Sequence, residues 1–281
     1  MKNKCLKTVA LALVLAMAAC MFGGCASSKN SSAGSDEQEL LSKVTESGKL
    51  VVCMNITEPW NYIDPTTGEY TGMGIELVEG FADSLGIEVE YMPLEFASLI
   101  PTIEDGKADM LVTNLTRTVA RASSKILYTE PVGGAQIVAV VQKGSYSSVD
   151  ELNQAGITLT TEAATISEEI APDCFPNATM SPCNTNADAI AALKAGRADA
   201  FITDTNVAEA VIAADDSLEY INEPVFLDTY AFGVKLSYTS YTFVEAFNLY
   251  LRLAKLDGTY GALYEKYFGV KWVPNSTEIA M

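Results

Sequence analysis

The chain has no histidine among its 281 residues, and this absence removes several kinds of active site. Serine and cysteine hydrolases commonly use an imidazole as their general base. Zinc in catalytic sites is most often held by histidine nitrogens. We therefore expect neither a histidine-dependent triad nor a histidine-bound metal, and the sequence indicates no metal and no cofactor.

Basic residues are also scarce. The chain carries 18 lysines and arginines against 36 aspartates and glutamates, which gives a formal net charge of −18. A nucleic-acid-binding protein needs a basic face that neutralises phosphates, so this composition argues against nucleic acid as a partner. It suits a soluble exported protein, which we expect to be a monomer. No segment beyond residue 25 has 18 or more consecutive apolar residues, so we expect that the mature chain does not span a membrane.

Three lysines near the N-terminus precede an apolar run from Thr8 to Phe22. A charged start followed by an apolar run too short for a membrane-spanning helix is typical of a secretory signal peptide. We predict that residues 1–24 are such a signal and that the mature protein works outside the cytoplasm.

The signal ends in the sequence FGGC. This resembles a bacterial lipobox, in which the cysteine receives a lipid (diacylglycerol and palmitate) and becomes the mature N-terminus. The resemblance predicts Cys25 as the lipidation site; Cys20 is a second candidate, and an ordinary cleaved signal is the alternative. Residues 25–42 are expected to be a flexible tether that holds the protein at the extracytoplasmic face of the cell membrane.

The remaining cysteines suggest structural roles. Cys53 lies in an apolar segment, where we expect burial as a small hydrophobic residue. Cys174 and Cys183 flank a proline-containing loop in a chain that we predict to be exported. A local disulfide and two free thiols are both compatible with that spacing.

Strand-like and helix-like segments alternate along the rest of the chain. Lys49–Met54 is a continuous apolar run that fits a strand buried on both faces. Ile75–Leu85 has apolar residues at helical spacing and stops at a glycine. The alternation occurs twice, and the chain then returns through Val225–Val234 to an amphipathic helix at Tyr241–Leu256. We predict an α/β fold of two lobes with mostly parallel sheets.

Five segments between about Lys43 and Val270 carry a resemblance to a known family. In chain order they are GKLVVCMNITEPWNYIDPTTGEYTGMGIELVEGFADSLG, LEFASLIPTIEDGKADM, NLTRTVARASSKILYTEPV, AIAALKAGRADAFITDTNVAEA and LAKLDGTYGALYEKYFG. Together they resemble the family 3 extracellular solute-binding proteins, which are polar amino-acid receptors of ABC importers.

The resemblance implies a type II periplasmic-binding-protein fold, in which two lobes joined by two crossovers close on a ligand. Lobe 1 would comprise residues 43–133 and 229–273, and lobe 2 residues 134–228. The crossovers are expected near Val132–Gln136 and Leu227–Phe232.

A free amino acid brings a carboxylate and an ammonium into such a cleft, and each needs a partner of opposite charge. Arg121 occupies the place of the family's carboxylate-binding arginine, whose planar guanidinium donates two parallel hydrogen bonds. The resemblance assigns Thr116 an assisting hydroxyl and N–H, and Asn114 a nearby backbone contact. Arg117 is the alternative partner for the carboxylate.

Asp204 follows the predicted strand Ala200–Thr203, where the family uses an aspartate to bind the ligand's ammonium. The alternative is that this carboxylate only caps the next helix. Thr165 aligns with the threonine of the family's Gly-Thr helix start, where N–H groups meet the ligand carboxylate. Ala164 replaces the glycine of that pair.

The side chain of the ligand would meet four further residues. Phe96 and Trp60 align with aromatic residues near the family's cleft, and core packing is the alternative for both. Glu162 stands where relatives often carry glutamine or lysine. Together with Glu58, it would favour a cationic or hydrogen-bond-donating side chain; the alternative is a solvated glutamate.

The sequence therefore predicts a substrate-binding protein, without catalytic residues, that delivers an amino acid to the permease subunits of an ABC importer. An enzyme with Glu162 as its proton donor is a second hypothesis. A ligand sensor for a signalling partner is a third.

Overall fold

The computed structural model describes residues 38–273. The predicted signal peptide, both candidate lipidation cysteines and residues 25–37 of the predicted tether lie outside the described residues. Among the described residues the first helix begins at Leu40, and Leu40 and Leu41 pack against the main core, so the last residues of the predicted tether belong to the folded domain instead.

Helices and strands alternate through most of the described chain. The helices are α1 (Leu40–Ser47), α2 (Met73–Leu85), α3 (Phe96–Glu104), α4 (Val119–Ser124), α5 (Ile166–Cys174), α6 (Asn186–Lys194), α7 (Thr205–Ala214), α8 (Tyr241–Asp257) and α9 (Thr259–Phe268). The strands are β1 (Lys49–Met54), β2 (Tyr62–Ile63), β3 (Tyr70–Thr71), β4 (Glu88–Pro93), β5 (Met110–Thr116), β6 (Ile126–Tyr128), β7 (Gly133–Gln142), β8 (Thr158–Thr160), β9 (Thr179–Met180), β10 (Ala200–Asp204) and β11 (Leu218–Lys235). Short 3₁₀ turns lie at Val149–Leu152 and Tyr238–Ser240.

A nine-stranded sheet forms within residues 38–273, with the order β4-β1-β5-β11-β7-β10-β8-β9 and with β6 paired to β11. In lobe 1, β1 is parallel to both β4 and β5. In lobe 2, β8 is parallel to both β9 and β10. The helices between these parallel strands cover the sheet, as the predicted α/β rhythm requires.

The two crossovers are the antiparallel strands β7 and β11, which hydrogen-bond to each other from lobe to lobe. Their register pairs Gly133 with Tyr230 and Ile137 with Phe226. On its lobe 1 side β11 also pairs with β5, and β7 pairs with β10 on the lobe 2 side. The sheet therefore passes through the crossovers without a break, and the site lies beside them.

Each face of the sheet has its own apolar core. On β7, the buried side chains of Ile137, Ala139 and Val141 join one cluster of lobe 2, and those of Val138 and Val140 join another. This alternation is the period of two that a strand imposes, and it explains why β7 reads as a continuous apolar run.

The largest cluster lies in lobe 1, where α2 and α8 cover the sheet. The rings of Phe81, Phe243 and Phe247 are fully or almost fully buried there and meet edge to face. Such rings bury a large apolar area and also gain from their mutual geometry, so they anchor α8 to lobe 1. Among residues 38–273, none of the helices combines the length and the apolar character that crossing a membrane requires.

The cysteines behave as small apolar residues. Cys53 is fully buried, which confirms its predicted role, and burial raises the pKa of its thiol to about 12. Cys174 and Cys183 are free thiols. Cys174 packs against the cluster that contains Ile137, and Cys183 packs against the cluster on the opposite face of β7. Because the sheet separates these clusters, the local disulfide considered from the sequence does not form in this structure.

Candidate functional site

A polar cavity lies where the two lobes meet beside the crossovers. Its volume is about 20 Å³, space for about one water molecule, so the lobes are nearly closed on each other in this conformation. The lining contains six of the nine predicted ligand-binding residues and five others. These are Phe96, Asn114, Thr116, Glu162, Thr165 and Asp204 from the prediction, with Thr161, Ile166, Ser167, Asn186 and Thr203.

Asp204, the predicted ammonium partner, ends β10 on the lobe 2 side. Its Oδ2 accepts a hydrogen bond from Nδ2 of Asn114 in lobe 1, at 2.8 Å. Its Oδ1 accepts a hydrogen bond from the hydroxyl of Tyr230, on the crossover strand β11. This carboxylate of lobe 2 thus meets lobe 1 and a crossover strand at one point. It is also the N-cap residue of α7, but its side chain makes no capping hydrogen bond, so the helix-cap alternative is not what this side chain does here.

Thr116 ends β5 in lobe 1, and its hydroxyl donates to Oδ2 of Asp228 at 2.6 Å. Asp228 lies on β11, directly in the crossover, and is 2% exposed. The backbone oxygen of Thr116 accepts a hydrogen bond from Nη1 of Arg121 at 3.2 Å. Thr116 therefore links the cavity, the crossover and the predicted carboxylate partner.

Arg121 is buried at 6% exposure, whereas Arg117, the alternative partner, is exposed. The side chain of Arg121 projects from α4 towards lobe 2, and Nη2 donates to the backbone oxygen of Ala164 at 3.1 Å. The same nitrogen lies 2.6 Å from Oε1 of Glu169, in the first turn of α5. Arg121 does not line the cavity itself, although both backbone oxygens that it binds belong to residues in or next to the lining.

The turn before α5 carries the lobe 2 side of the cavity. Ala164 has a φ of 63°, a left-handed conformation that costs an alanine more than the glycine that the family resemblance implies. Its N–H is satisfied by Oε2 of Glu168 at 2.6 Å, and its oxygen by Arg121. The hydroxyl of Thr165 donates to the backbone oxygen of Glu162 at 2.7 Å. These bonds hold the turn so that the N-terminus of α5, through Ile166 and Ser167, faces the cavity.

Three carboxyl groups at the site have raised pKa values because burial disfavours their charged forms. Burial raises the pKa of Glu162 from 4.5 to about 8, and the charge of Asp204 adds to this. Burial raises the pKa of Asp204 to about 6, against the hydrogen bonds from Tyr230 and Asn114. Burial, followed by the charge of Asp204, raises the pKa of Asp228 to about 7. The region is therefore short of positive charge.

Phe96 reaches the cavity because it is the first residue of α3, directly after the loop that follows β4. It is 6% exposed and also packs in the lobe 1 cluster that contains Leu99 and Leu115. Its ring is therefore a fixed wall, which combines the two interpretations that the sequence allowed.

Trp60 and Glu58 do not line this cavity. Trp60 is 1% exposed and packs edge-on against Tyr230, in the main core of lobe 1. Trp60 lies against the crossover strand β7. A Cβ added at Gly133 of that strand would lie 2.7 Å from Cη2 of Trp60. Glu58 instead borders a neighbouring groove between the loop 56–58 and the helices α6 and α7, which adjoins the cavity at Asn186.

Several site residues were missed by sequence reasoning. Asp228 and Tyr230 sit in a segment that the sequence identified only as a crossover, and Glu169 was not considered. A signal for Asp228 was present, because it is the single charged residue in the otherwise uncharged run VFLDTYAFGV. A buried strand rarely carries an unpaired carboxylate without a specific reason.

No cluster of three or more histidine, cysteine, aspartate or glutamate residues among residues 38–273 is arranged to hold a metal ion. The carboxylates of Asp204 and Asp228 instead accept hydrogen bonds from hydroxyl and amide donors. What the arrangement offers chemically is a set of hydrogen-bond acceptors from both lobes, an aromatic wall and one helix N-terminus. That set suits a small polar molecule with cationic groups.

Comparison with known proteins agrees with this architecture. Residues 50–270 match the bacterial extracellular solute-binding proteins, family 3. The ABC transporter glutamine-binding protein GlnH of Bacillus subtilis (strain 168) is 25% identical over 268 residues, which cover 93% of this chain and 97% of that protein.

Two solved structures are similar over most of the chain. The ancestral amino acid-binding protein AncCDT-1, a precursor of cyclohexadienyl dehydratase, has a TM-score of 0.75 at 28% identity and covers 81% of this chain and 99% of its own. AbpA of Streptococcus pneumoniae Canada MDR_19A, an amino acid ABC transporter substrate-binding protein bound to L-arginine, has a TM-score of 0.74 at 26% identity and covers 81% and 97%. The family match spans most of the chain, and the sheet, crossovers and interlobe cavity have the expected arrangement. The chain therefore belongs to the bacterial extracellular solute-binding proteins of family 3.

Proposed function

We propose that this protein is the extracytoplasmic substrate-binding component of an ABC importer and that it captures an amino acid by closure of its two lobes. The observation that carries the proposal is the interlobe cavity, to which both lobes and a crossover contribute polar side chains. A ligand that bridges such a cleft gains contacts in the closed state that the open state lacks, and this difference drives closure.

In this proposal the ligand's ammonium lies beside Asp204 and its carboxylate binds Arg121 and the N-terminus of α5, near Thr165. A cation beside Asp204 takes the place of the hydrogen bonds that Asn114 and Tyr230 now donate to this carboxylate. It also offsets the cost of burial that raises the pKa of Asp204. Arg121 is buried in α4 and already donates to two backbone oxygens, so its guanidinium is held in a fixed orientation.

We further propose that the ligand's side chain is cationic or donates hydrogen bonds. Glu162 is buried, and in the closed cleft its carboxyl group meets the negative charge of Asp204. A positive side chain relieves that repulsion, whereas an acidic side chain adds to it. The relatives support both choices, since GlnH is named for glutamine and AbpA was solved with L-arginine.

Isothermal titration calorimetry of the protein, after ligand removal by unfolding and refolding, tests the proposal directly. We expect binding of L-arginine or L-glutamine and none of L-glutamate. Arg121→Ala should weaken binding by at least about thirtyfold, because it leaves a desolvated carboxylate unpaired. Arg117→Ala is the matched control, since this nearby arginine is exposed. Equal affinities of the wild type and of Arg121→Ala would refute the assigned role of Arg121, and absence of binding to any amino acid would refute the function.

We propose that the cleft binds without catalysis. One observation favours the competing hypothesis of an enzyme, namely that burial raises the pKa of Glu162 to about 8, which keeps it protonated as a proton donor would be. Against it, the oxygens of Asp204 accept hydrogen bonds from Asn114 and Tyr230, which leaves no free general base beside it. Proton NMR of the bound amino acid after prolonged incubation should show it unchanged. Any product that Glu162→Gln abolishes would establish the enzyme instead.

The membrane attachment is also a proposal. Cys25 would carry the lipid anchor, and the chain up to α1 would connect it to the folded domain. Mass spectrometry of the mature protein from a bacterial host should show a lipid-modified N-terminal Cys25, and Cys25→Ser should release the protein from the membrane fraction. Release by Cys20→Ser but not by Cys25→Ser would move the anchor to Cys20.

The partners in this proposal are the permease subunits of the importer, which would receive the closed, monomeric protein. Nucleic acid is not expected to bind, because the net charge of −18 repels phosphates. In proteoliposomes with the cognate permease and ATPase, ligand-loaded protein should stimulate ATP hydrolysis and the unloaded protein should not. Stimulation of a kinase without transport would favour the sensor hypothesis.

A further inference from the structure

Glu169 contacts the residue that we assign to the ligand's carboxylate. Its Oε1 lies 2.6 Å from Nη2 of Arg121, across the boundary between the lobes. We propose that Glu169 competes with the ligand's α-carboxylate for Arg121 and thereby sets the affinity of the cleft. This inference rests on the proposed function.

The hydrogen bonds of Arg121 determine which of its present acceptors a ligand can displace. Nη1 donates to the backbone oxygen of Thr116, and Nη2 donates to both the backbone oxygen of Ala164 and Glu169. A guanidinium binds a carboxylate best through two parallel N–H groups. Because Nη2 already serves two acceptors, a ligand carboxylate can take a share of it only when one of them leaves. The oxygen of Ala164 belongs to the backbone, so Glu169 is the acceptor that can move.

The side chains of Arg121 and Glu169 differ in their exposure to solvent. The side chain of Arg121 is 7% exposed and that of Glu169 is 46% exposed. Arg121 is held by backbone oxygens from both lobes, whereas Glu169 sits at the rim and can turn its carboxylate into water. A half-exposed ion pair contributes little net stability, so its loss costs little. The pair therefore yields to a ligand carboxylate, at a small cost in affinity.

The neighbouring Glu168 supplies the comparison within the same helix turn. Its Oε2 accepts from the N–H of Ala164 at 2.6 Å. Glu168 carries the same charge as Glu169 in the first turn of α5. It accepts a hydrogen bond from the N–H of Ala164, whereas Glu169 contacts Arg121. An effect that arises from the local negative field alone would therefore be shared by both glutamates, and competition for Arg121 would belong to Glu169 only.

The experiment measures the affinities of the wild type, Glu169→Ala, Glu169→Gln and Glu168→Gln by calorimetry with L-arginine, L-glutamine and the carboxamide of each. The expected result is that Glu169→Ala tightens binding of the free amino acid by about 1.5-fold to fivefold, as the loss of a partly exposed competing pair implies. Glu169→Gln should tighten it less, since its oxygen still accepts from Arg121. Neither variant should tighten binding of the carboxamide, which presents no carboxylate to Arg121.

Three results would overturn the inference. These are unchanged or weaker binding in Glu169→Ala, equal tightening in Glu168→Gln, and equal tightening for the carboxamide. Circular dichroism and thermal melting confirm that each variant is folded. If the wild type binds and Arg121→Ala does not, but Glu169→Ala fails to tighten, the inference alone is wrong. If the wild type binds neither L-arginine, L-glutamine nor any other amino acid, the proposed function fails with it.

Discussion

Glu162→Gln should change how the stability of the ligand-free protein depends on pH. Glu162 is 5% exposed, and burial raises its pKa from 4.5 to about 8 in the folded state. The folded state therefore holds a proton that the unfolded state has released at any pH between these values. The stability that this group contributes is fully present below pH 4.5 and is lost as the pH rises through about 8.

The size of the effect follows from the two pKa values. At about 1.4 kcal/mol per pH unit, the change from 4.5 to about 8 corresponds to at most about 5 kcal/mol. Between pH 5 and pH 8, the free energy of unfolding of the wild type should fall by up to about 4 kcal/mol more than that of Glu162→Gln. Glutamine has nearly the same shape and volume as glutamate, so packing changes little.

Urea unfolding at pH 5, 6, 7 and 8 measures this difference, by linear extrapolation of the free energy of unfolding to water. The wild type should lose stability faster than Glu162→Gln over this range. Glu90→Gln is the matched control, because it neutralises a glutamate of an exposed ion pair with Lys49. Parallel stability curves for the wild type and Glu162→Gln would refute the reasoning, since they would mean that Glu162 titrates alike in the folded and unfolded states.

Three further substitutions test the fold around the site. Phe247→Ala should destabilise the protein by about 3–5 kcal/mol in urea unfolding, because this fully buried ring packs on Phe81 and Phe232; a cost below 1 kcal/mol would contradict its place in the core. Thr185→Ala should cost about 1 kcal/mol, since its hydroxyl accepts from the N–H of Asp188 at 3.1 Å as the N-cap of α6; no change in the urea midpoint would show that this cap contributes nothing. Gly133→Ala should cost about 1–3 kcal/mol through overpacking, because its Cβ would meet Trp60 at 2.7 Å. Trp60→Phe in the same chain should reduce that cost, and an unchanged cost would place the strain elsewhere.

The fold was largely predictable because its strands are buried on both faces. Such strands read as continuous apolar runs, and Lys49–Met54 is found with the predicted bounds. Two helices within residues 38–273 escaped prediction. Helix α4 has only six residues, and α7 is rich in alanine and directly follows a strand. Their positions depend on tertiary contacts more than on local sequence.

The site was predictable where a residue directly follows a strand. Thr116 and Asp204 both end strands that the sequence located. These strands belong to different lobes and run in opposite directions, so their carboxyl ends point at each other across the cleft. Trp60 could not be placed in the same way, because it lies in a loop. Its burial depends on rings from β11 and α9, about 170 and 200 residues further along the chain. The partner of Arg121 was likewise out of reach, since Glu169 comes from the other lobe.

The ladder between β7 and β11 keeps one register from the pair Gly133 and Tyr230 to the pair Ile137 and Phe226, and this has a consequence for exchanging parts between relatives. Gly133 faces Tyr230, and each lies where a strand enters or leaves lobe 1. A chimera that takes lobe 2 from another family member must be cut once in each strand, at positions that face each other. A cut displaced by one residue in one strand would turn every inward side chain of that crossover outward. The paired positions Gly133 and Tyr230 thus define a junction at which lobes with different ligand preferences can be recombined while the ladder keeps its register.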